Sequence, residues 1–490
     1  MAICLACVAV LGGLVLARRT PQLPFWTLLV PLGCAVFGFR RLRLFGLYSL
    51  IAFGFLLGWW RGGLLMQQVR LNREYANRKV TVQGVASIDG IYDDHKQMAF
   101  AVQHAVIVAP DAVQGEKLAG TIAVAGFGLS GVNRGDFVTA TGKLYPTRGA
   151  NAYSISFATL SVSPGPPNKL EDFRHGFTAG MYSSLPEPLA PFAMGLLIGQ
   201  RSLIPPDLYG KLTAVGLTHI VAVSGYNLTI IIGAVRRIMG KRSKFQSLVV
   251  SLALIGLFLA VTGLSASIVR AAMISSLSLL AAYYGRTIRP MVLILFTAAV
   301  TALWNPFYVW GDIGWYLSFL AFFGILVLAP LFTRRFFGAH EPGVAVSAVI
   351  ETSAAELLTL PFIMFIFGRL SLIGLVANLL VVPLVPLAML ASFVAALAGM
   401  WVPAISGWFA LPARLSLTYM LDTILLLARI PHELVSLTLG VWAMILLYAS
   451  ILSIIVVLWR RQPKTGKITD RTRAKQGLPT YERTLQMVND

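Results

Sequence analysis

The segment "GLTHIVAVSGYNLTIIIG" places polar side chains and a Ser-Gly pair inside a long apolar run. His219, Ser224, Gly225 and Asn227 all fall within it. A Ser-Gly pair in mid-span predicts a broken helix with free backbone groups, which a membrane tolerates only beside protein or a water-filled cavity. The segment therefore indicates the wall of a polar cavity; the alternative is a kink that neighbouring helices fill.

A second apolar segment, "TGLSASIVRAAMISSLSLLAAYYGR", carries Ser267 and Arg270 among small residues. Small residues let helices approach closely, and a charged side chain within a span usually faces a cavity or a partner. Because Arg270 has no acidic neighbour in the local sequence, it indicates either a path for a polyanion or a buried ion pair. Glu351, Glu356 and Asp422 are the acids that could form such a pair.

Other polar residues lie within apolar segments or at their ends. We group Arg369 and Asn378 with the candidates for the wall of a polar path. We expect Asp312, like the three acids above, to be a structural polar residue in the membrane. Long side chains at the ends of spans reach water at little cost, and this is the plainer interpretation of Asp312, Arg369 and Arg414.

The types and spacing of the residues do not indicate a catalytic site. "AVSG" resembles the Gly-x-Ser-Gly of intramembrane serine proteases, but His219 would lie roughly 140° from Ser224 around a helix. The six histidines never come within four residues of one another, and neither a zinc motif nor a P-loop is present. The sequence therefore predicts no enzyme, no catalytic residue, no metal and no cofactor.

The composition indicates a chain solvated mainly by lipid. Hydrophobic residues make up 57% of the 490 residues and charged residues 12%, against about 45–50% and about 25% in ordinary soluble chains. This excludes a soluble enzyme, a secreted disulfide scaffold and a disordered protein. The net charge of +20 is typical of loops at a cytoplasmic membrane face and also suits a path for polyanions.

The hydropathy pattern predicts a polytopic α-helical membrane protein of about twelve spans with one inserted β domain. Five regions follow along the chain: N-terminal transmembrane helices at 1–60, a β domain at 61–167, an amphipathic, interfacial helical region at 168–216, a transmembrane domain at 217–459 and a basic tail at 460–490. Spans are expected near 2–17, 24–39, 44–60, 217–235, 245–263, 266–285, 288–304, 313–332, 343–367, 371–398, 405–428 and 435–459.

Five patches of period-two alternation predict short strands in the polar region: "KVTVQGVASI", "QMAFAVQHAVIV", "KLAGTIAVAG", "DFVTATGKLY" and "YSISFATLSV". Five strands with Gly-rich turns favour a small closed or half-closed barrel of the OB type. A five-stranded sandwich without a ligand is the alternative. Aromatic residues that could stack nucleic-acid bases, or belong to the core, are Tyr92, Phe100, Phe127, Phe137, Tyr145 and Tyr153.

The basic loops predict the orientation in the membrane. "RRIMGKRSK" at 236–244, "GRTIR" at 285–289 and "TRR" at 333–335 alternate with loops poor in Lys and Arg. Placing these loops in the cytoplasm puts the tail inside and the β domain outside. Arg18 and Arg19 are then left on the outer side, against the general trend.

Five blocks, in order, give the chain a resemblance to the ComEC family of competence proteins. They are "LLIGQRSLIPPDLYGKL", "LTAVGLTHIVAVSGYNL", "TGLSASIVRAAMISSLSLLAAYYGR", "NPFYVWGDIGWYLSFLAFFGILVLAP" and "LPFIMFIFGRLSLIGLVANLLVVPLVPL". The family usually reads Ser-Gly-Leu-His where this chain has Ser224, Gly225, Tyr226 and Asn227, and Tyr316 stands where a glutamine is common. Many members also end in a metallo-β-lactamase-like nuclease domain, which does not follow the last helix here.

The resemblance implies an inner-membrane, multi-pass channel that carries single-stranded DNA into the cytoplasm during natural transformation. The DNA path would include His219, Ser224, Gly225, Asn227, Ser267, Arg270, Arg369 and Asn378. Expected partners are single-stranded DNA, membrane lipids, other proteins of the competence machinery and a separate nuclease. The alternatives are a small-molecule or lipid transporter with the same broken-helix core, and a membrane scaffold that transports nothing.

Overall fold

The computed structural model describes residues 2–31, 43–92, 97–109, 115–127, 131–147, 149, 151–163, 165, 169–221, 228, 243–263, 266–286, 289–338, 342–368, 373–430 and 438–460. Within them lie sixteen α-helices: α1 (Ala2–Ala17), α2 (Arg43–Leu71), α3 (Lys169–Ser184), α4 (Leu189–Ile198), α5 (Pro206–Ala214), α6 (Lys244–Thr262), α7 (Ala266–Tyr283), α8 (Pro290–Trp304), α9 (Phe307–Gly311), α10 (Ile313–Phe323), α11 (Ala329–Phe337), α12 (Val344–Phe367), α13 (Gly374–Val381), α14 (Val385–Trp401), α15 (Ser406–Leu427) and α16 (Val441–Arg460). A π-helical turn, Gly324–Leu328, joins α10 to α11.

Six helical stretches of the described chain are long and apolar enough to cross a membrane: Phe45–Tyr75, Ile313–Phe337, Val349–Phe367, Val376–Trp401, Pro403–Leu427 and Val441–Leu458. Five shorter apolar helices accompany them: Ala2–Ala17, Leu189–Ile198, Lys244–Ala260, Ser267–Tyr283 and Pro290–Trp304. These helices fit a membrane protein with a β domain, whereas the number of twelve spans is not confirmed. The spans expected near 24–39 and 217–235 fall largely outside the described residues.

Two helices differ from the sequence-based expectation. The helix expected at 44–60 continues to Leu71, and within it Arg61 donates from Nη2 to the Trp304 carbonyl oxygen. The helix expected at 371–398 contains a short 3₁₀ turn, Val382–Leu384, because Pro383 has no backbone N–H to donate. The stretch Val376–Trp401 is still one candidate span.

Glycine residues set the closest crossing of the N-terminal helices. On α2, Gly54 and Gly58 face α1, where a Cβ on Gly58 would lie 2.1 Å from the Val10 carbonyl oxygen. A Cβ on Gly13 of α1 would likewise lie 2.0 Å from the Phe55 carbonyl oxygen. Only glycine leaves room for backbones at this separation, so α1 and α2 pack tightly. The two helices run in parallel, because Gly54, Gly58 and Gly62 of α2 lie against Ala6, Val10 and Ala17 of α1 in that order.

The polar region folds into a β domain of six strands: β1 (Lys79–Ala86), β2 (Ile91–Tyr92), β3 (Met98–Ala109), β4 (Ile122–Phe127), β5 (Phe137–Pro146) and β6 (Tyr153–Ser163). The sheet order is β1-β5-β6-β4-β3-β2, and β1 also pairs with β3. The five long strands thus form a closed ring in which only β4 and β6 are parallel. All five predicted strands are present, and β2 adds a two-residue strand that was not predicted.

Hydrogen bonds fix the β domain to the end of α2. Asn72 donates from Nδ2 to Glu116 Oε1 at 3.3 Å, and its Oδ1 accepts from the Ala119 backbone N–H at 3.2 Å. The Tyr153 hydroxyl donates to the Val69 carbonyl oxygen at 2.8 Å, and burial raises the pKa of that hydroxyl to about 12. The β domain is therefore joined to the end of α2 by these hydrogen bonds as well as by the chain itself.

The region expected to be amphipathic and interfacial packs differently. All ten residues of α4 are buried, because the helix is apolar on every side and needs a core around it. Its neighbour α3 crosses α14 at two glycines, where a Cβ on Gly399 would lie 2.0 Å from the Gly180 carbonyl oxygen. Ser184 donates from Oγ to the Ala395 carbonyl oxygen at 2.9 Å across the same crossing.

Candidate functional site

The β domain contacts the helical domain beside the start of α7. Asp89, in the turn after β1, pairs through Oδ2 with Arg174 Nη2 of α3 at 2.8 Å, and its Oδ1 accepts from the Arg134 backbone N–H at 2.9 Å. Arg134 in turn donates from Nη1 to the Ala260 carbonyl oxygen at the end of α6, at 3.4 Å. The connection from α6 to α7 thus lies against the β domain.

Arg270 lies one turn into α7 from that contact. Its side chain is 0% exposed, and Nη2 donates to Ser267 Oγ, one helical turn earlier, at 3.0 Å. The guanidinium carbon lies 4.8 Å from the centre of the Phe319 ring on α10, within the range of a cation–π contact. Helices α7 and α10 therefore hold the guanidinium between a hydroxyl and an aromatic face.

The remaining donors of Arg270 have no protein partner among the described residues. Both Nε and Nη1 are buried and lack a hydrogen-bond acceptor there. None of the proposed acids forms an ion pair with Arg270 in this part of the chain. Asp312 and Tyr308 lie close enough to act on its charge. A buried guanidinium with free donors can bind an oxyanion, because the planar fork matches phosphate geometry.

Ser224, Gly225 and Asn227 lie outside the described residues, so their place in a cavity stays a prediction. Leu228, the residue after Asn227, is described and fully buried. It belongs to one apolar cluster with Ala271 and Ala272, the two residues that follow Arg270 on α7.

His219 lies in the turn after α5, three residues before the undescribed stretch 222–227. Its side chain is exposed, and its Nδ1 lies 3.2 Å from the Gly216 carbonyl oxygen. Arg369 falls outside the described residues. The described structure therefore brings Ser267 and Arg270 together, but it does not join His219 to them.

Asn378 takes part in a second polar contact within the membrane domain. It is 4% exposed on α13 and donates from Nδ2 to Glu356 Oε1 on α12. Its Oδ1 is buried without a partner among the described residues. Asn378, grouped with Arg270 by sequence, instead pairs with an acid that sequence had assigned to a separate structural group.

The other three acids occupy different environments. Asp312 caps α10, because its Oδ1 accepts from the Trp315 backbone N–H at 2.8 Å. Glu351 on α12 and Asp422 on α15 are exposed on the helical surface. The local sequence "GDIGW" carried the signal for the cap, since Asp is a favoured residue just before a helix.

The β domain presents aromatic rings on its outer surface. Tyr92, Phe127, Phe137 and Tyr145 are exposed, whereas Phe100 and Tyr153 are buried in the core. Phe157, which the sequence did not single out, is 69% exposed and lies 6.2 Å from Phe127 between ring centres. Lys143 Nζ lies 5.4 Å over the Tyr145 ring.

Phe157 has an uncommon backbone conformation. Its φ of 56° lies in the left-handed region, where bulky residues are rare. The residue falls where β6 shifts register against both β4 and β5, so a bulge turns the ring outward. Alternation alone could not predict this, because a bulge reverses the pattern at one position.

No group of three or more His, Cys, Asp or Glu residues that could hold a metal ion occurs within the described ranges. At the other end of α7, an open cavity of about 730 Å³ is lined in part by Tyr284, Arg286 and Arg289. Cations thus occur at both ends of this helix.

These features fit a membrane protein with six candidate spans among the described residues and an inserted β domain. A family model described as competence protein matches residues 196–462, more than half of the chain. The chain therefore belongs to the competence protein family.

Among curated proteins, ComE operon protein 3 of Bacillus subtilis (strain 168) is 24% identical over 203 residues, which cover 41% of this chain and 25% of that protein. The match thus spans about a quarter of that relative's length. No solved structure matches the chain.

Proposed function

We propose that this protein carries single-stranded DNA across the inner membrane into the cytoplasm during natural transformation. The observation that carries this proposal is Arg270, a fully buried guanidinium with two unbonded nitrogen atoms at the β-domain end of α7. A charged side chain in this position costs free energy unless a ligand uses it. The phosphate groups of a DNA strand supply such a ligand.

The path would pass the Ser-Gly segment and Arg270. Leu228 packs beside Ala271, which supports a common wall for Ser224, Gly225, Asn227, Ser267 and Arg270. Arg286 and Arg289 line the open cavity at the opposite end of α7 and would receive the strand there. His219, Arg369 and Asn378 remain candidates for other parts of this path.

The β domain would receive the strand on the outer side. Its closed ring of five long strands has the strand count of an OB-type barrel, a fold that commonly binds oligonucleotides. The exposed rings of Phe127 and Phe157, and Tyr145 beside Lys143, would stack bases without sequence preference. Other proteins of the competence machinery and a separate nuclease are the proposed partners, as membership of the competence protein family suggests.

The proposed orientation places the β domain outside and the tail 460–490 in the cytoplasm. Helices α6 and α8 both end against the β-domain side, since Arg134 reaches Ala260, and Phe307 lies beside Gly120. The basic loop 285–289 then lies at the opposite, cytoplasmic end. On that outer side Arg18 donates from Nη1 to the Trp310 carbonyl oxygen at 2.9 Å. This hydrogen bond gives Arg18 a structural role on the side where basic residues are otherwise not expected.

Labelling of introduced cysteines tests the orientation. In a variant without Cys4, Cys7 and Cys34, a cysteine at Gln103 should react with an impermeant thiol reagent on intact cells. A cysteine at Gln476 should react only after the cells are permeabilised. The reverse pattern would contradict the orientation.

Uptake after substitution of Arg270 tests the function. In cells that carry only the variant chain, Arg270→Ala should nearly abolish entry of labelled DNA into the cytoplasm, while DNA still reaches the cell surface. Arg270→Lys keeps the charge but loses the planar fork, so it should give partial uptake. Arg429→Ala, which removes an exposed cation at the end of α15, is the matched control and should transport normally.

Membrane abundance, measured in the same cells, separates function from folding. Normal abundance of Arg270→Ala with lost uptake supports the path, and normal uptake would refute it. A small-molecule or lipid transporter is the alternative function. If this alternative is right, vesicles that contain the purified protein should transport a small solute or lipid in the absence of DNA.

A further inference from the structure

Glu356 and Asn378 form an isolated polar pair between two apolar helices. Glu356 lies in the middle of the span Val349–Phe367, and Asn378 lies near the start of the span Val376–Trp401. The Asn378 side chain is 4% exposed and that of Glu356 is half-buried. The contact joins positions 22 residues apart and is separate from the Arg270 site.

The hydrogen bonds of this pair are incomplete if Glu356 carries a negative charge. Asn378 Nδ2 donates to Glu356 Oε1, while Asn378 Oδ1 is buried without a donor among the described residues. A carboxylate has only acceptors, so it cannot satisfy that oxygen. A buried acceptor without a donor is costly, and so is a carboxylate held in a span without a cation.

No neighbouring charge compensates Glu356 in the described part of the chain. The elements packed against α12 and α13 are α10, the π-helical turn, α11, α15, α16 and the 3₁₀ turn Val382–Leu384. Their titratable or charged side chains, together with Glu351 on α12 itself, are Tyr316, Arg334, Arg335, Arg414, Tyr419, Asp422, Tyr448 and Arg460. None of them forms an ion pair with Glu356 among the described residues. Tyr448 instead donates its hydroxyl to the Leu358 carbonyl oxygen at 2.9 Å.

We propose that Glu356 is a proton-binding site, in which the neutral acid forms a two-bond ring with the Asn378 amide. The proton sits on Oε2 and is donated to Asn378 Oδ1, while Asn378 Nδ2 donates to Oε1. One proton thus satisfies the orphaned oxygen and removes the charge from the span. The contact between α12 and α13 then depends on the protonation of one side chain.

The proposal does not rest on DNA transport, so its test needs no uptake assay. Infrared spectra of the full-length protein in lipid nanodiscs at neutral pH should contain the carbonyl band of a protonated carboxylic acid. Glu356→Gln should remove that band. Glu351→Gln, which changes an exposed acid on the same helix, should leave it in place. A spectrum unchanged by Glu356→Gln would overturn the proposal.

Thermal stability gives a second, independent test. Glutamine can form the same two-bond ring, so Glu356→Gln should keep the melting temperature of the wild type, whereas Glu356→Ala and Asn378→Ala should lower it. Raising the pH should lower the melting temperature of the wild type relative to Glu356→Gln, because only the wild type loses its proton. A melting temperature of Glu356→Gln as low as that of Glu356→Ala would contradict the shared proton.

Discussion

Arg174 and Arg270 are two buried arginines in different regions of the molecule. Arg174, on α3, pairs with Asp89 of the β domain at 2.8 Å, and the two side chains are 8% and 14% exposed. Arg270, on α7, has a hydroxyl and an aromatic ring beside it but no ion pair among the described residues. The same residue type is thus neutralised where two domains meet and left available inside the membrane domain.

The presence or absence of an ion-pair partner distinguishes a structural arginine from one that can bind a ligand. A buried charge that has its partner contributes to the fold, and removal of one partner leaves the other uncompensated. A buried charge without a partner costs stability, so replacement by an apolar residue of similar volume should not harm the fold. The comparison therefore predicts opposite effects of one substitution at the two positions.

The largest effect on stability is expected at Arg174. Arg174→Met should lower the free energy of unfolding by about 3–5 kcal/mol, because it strands the buried Asp89 carboxylate. Unfolding by detergent titration measures this change, and membrane abundance should fall with it. The double variant Arg174→Met with Asp89→Leu should recover much of the loss. A single variant as stable as the wild type would remove the contrast between the two arginines.

The next effect concerns the other face of α3, which must hold Arg174 in place. Gly399→Ala should cost about 1–3 kcal/mol, since the new Cβ would meet the Gly180 carbonyl oxygen and the crossing is already close-packed. Gly407→Ala on α15 is the matched control, because nothing lies within 4 Å of its Cβ position. Equal stability of the two variants in the same titration would mean that this crossing is loose.

A smaller effect is expected at Asp312, an acid that lies close enough to Arg270 to act on its charge. Asp312→Ala should cost about 1 kcal/mol through loss of the helix cap, whereas Asp312→Asn keeps the cap and should cost little. Both are measured by the same titration. If Asp312→Asn lowers the free energy of unfolding as much as Asp312→Ala, the negative charge of Asp312 stabilises Arg270. Arg270 would then, like Arg174, be neutralised by an acid.

The smallest effect on stability is expected at Arg270. Arg270→Met should change the free energy of unfolding little, or raise it, because no buried acid is left unpaired. DNA uptake by cells carrying this variant should nevertheless be lost. A drop in stability like that of Arg174→Met would show a structural partner outside the described residues.

The sequence left open whether Arg270 is isolated or forms a buried ion pair, and it did not predict the pairing of Glu356 with Asn378. Small apolar neighbours surround Arg270 in the chain, so local sequence already indicated that no nearby acid neutralises it. Glu356 and Asn378 lie 22 residues apart on separate helices, and only tertiary packing brings them together. The strands could be predicted because side chains alternate with period two wherever one face is buried.

Elsewhere, tertiary contacts override local sequence signals. The Trp59–Trp60 pair followed by Arg61 is typical of the end of a span, yet α2 continues to Leu71, and Arg61 donates to the Trp304 carbonyl oxygen of another helix. The amphipathic expectation for 168–216 missed α4, whose burial depends on helices more than a hundred residues later in the chain.

The length of α2 has a mechanical consequence. Its 29 residues span about 43 Å at 1.5 Å per residue, more than the roughly 30 Å of hydrocarbon in a bilayer. The excess length requires the helix to tilt or to extend beyond the hydrocarbon, and hydrogen bonds of Asn72 and Tyr153 join the β domain to its C-terminal end. A displacement of the β domain would therefore act first on α2 and on the glycine contacts between α2 and α1.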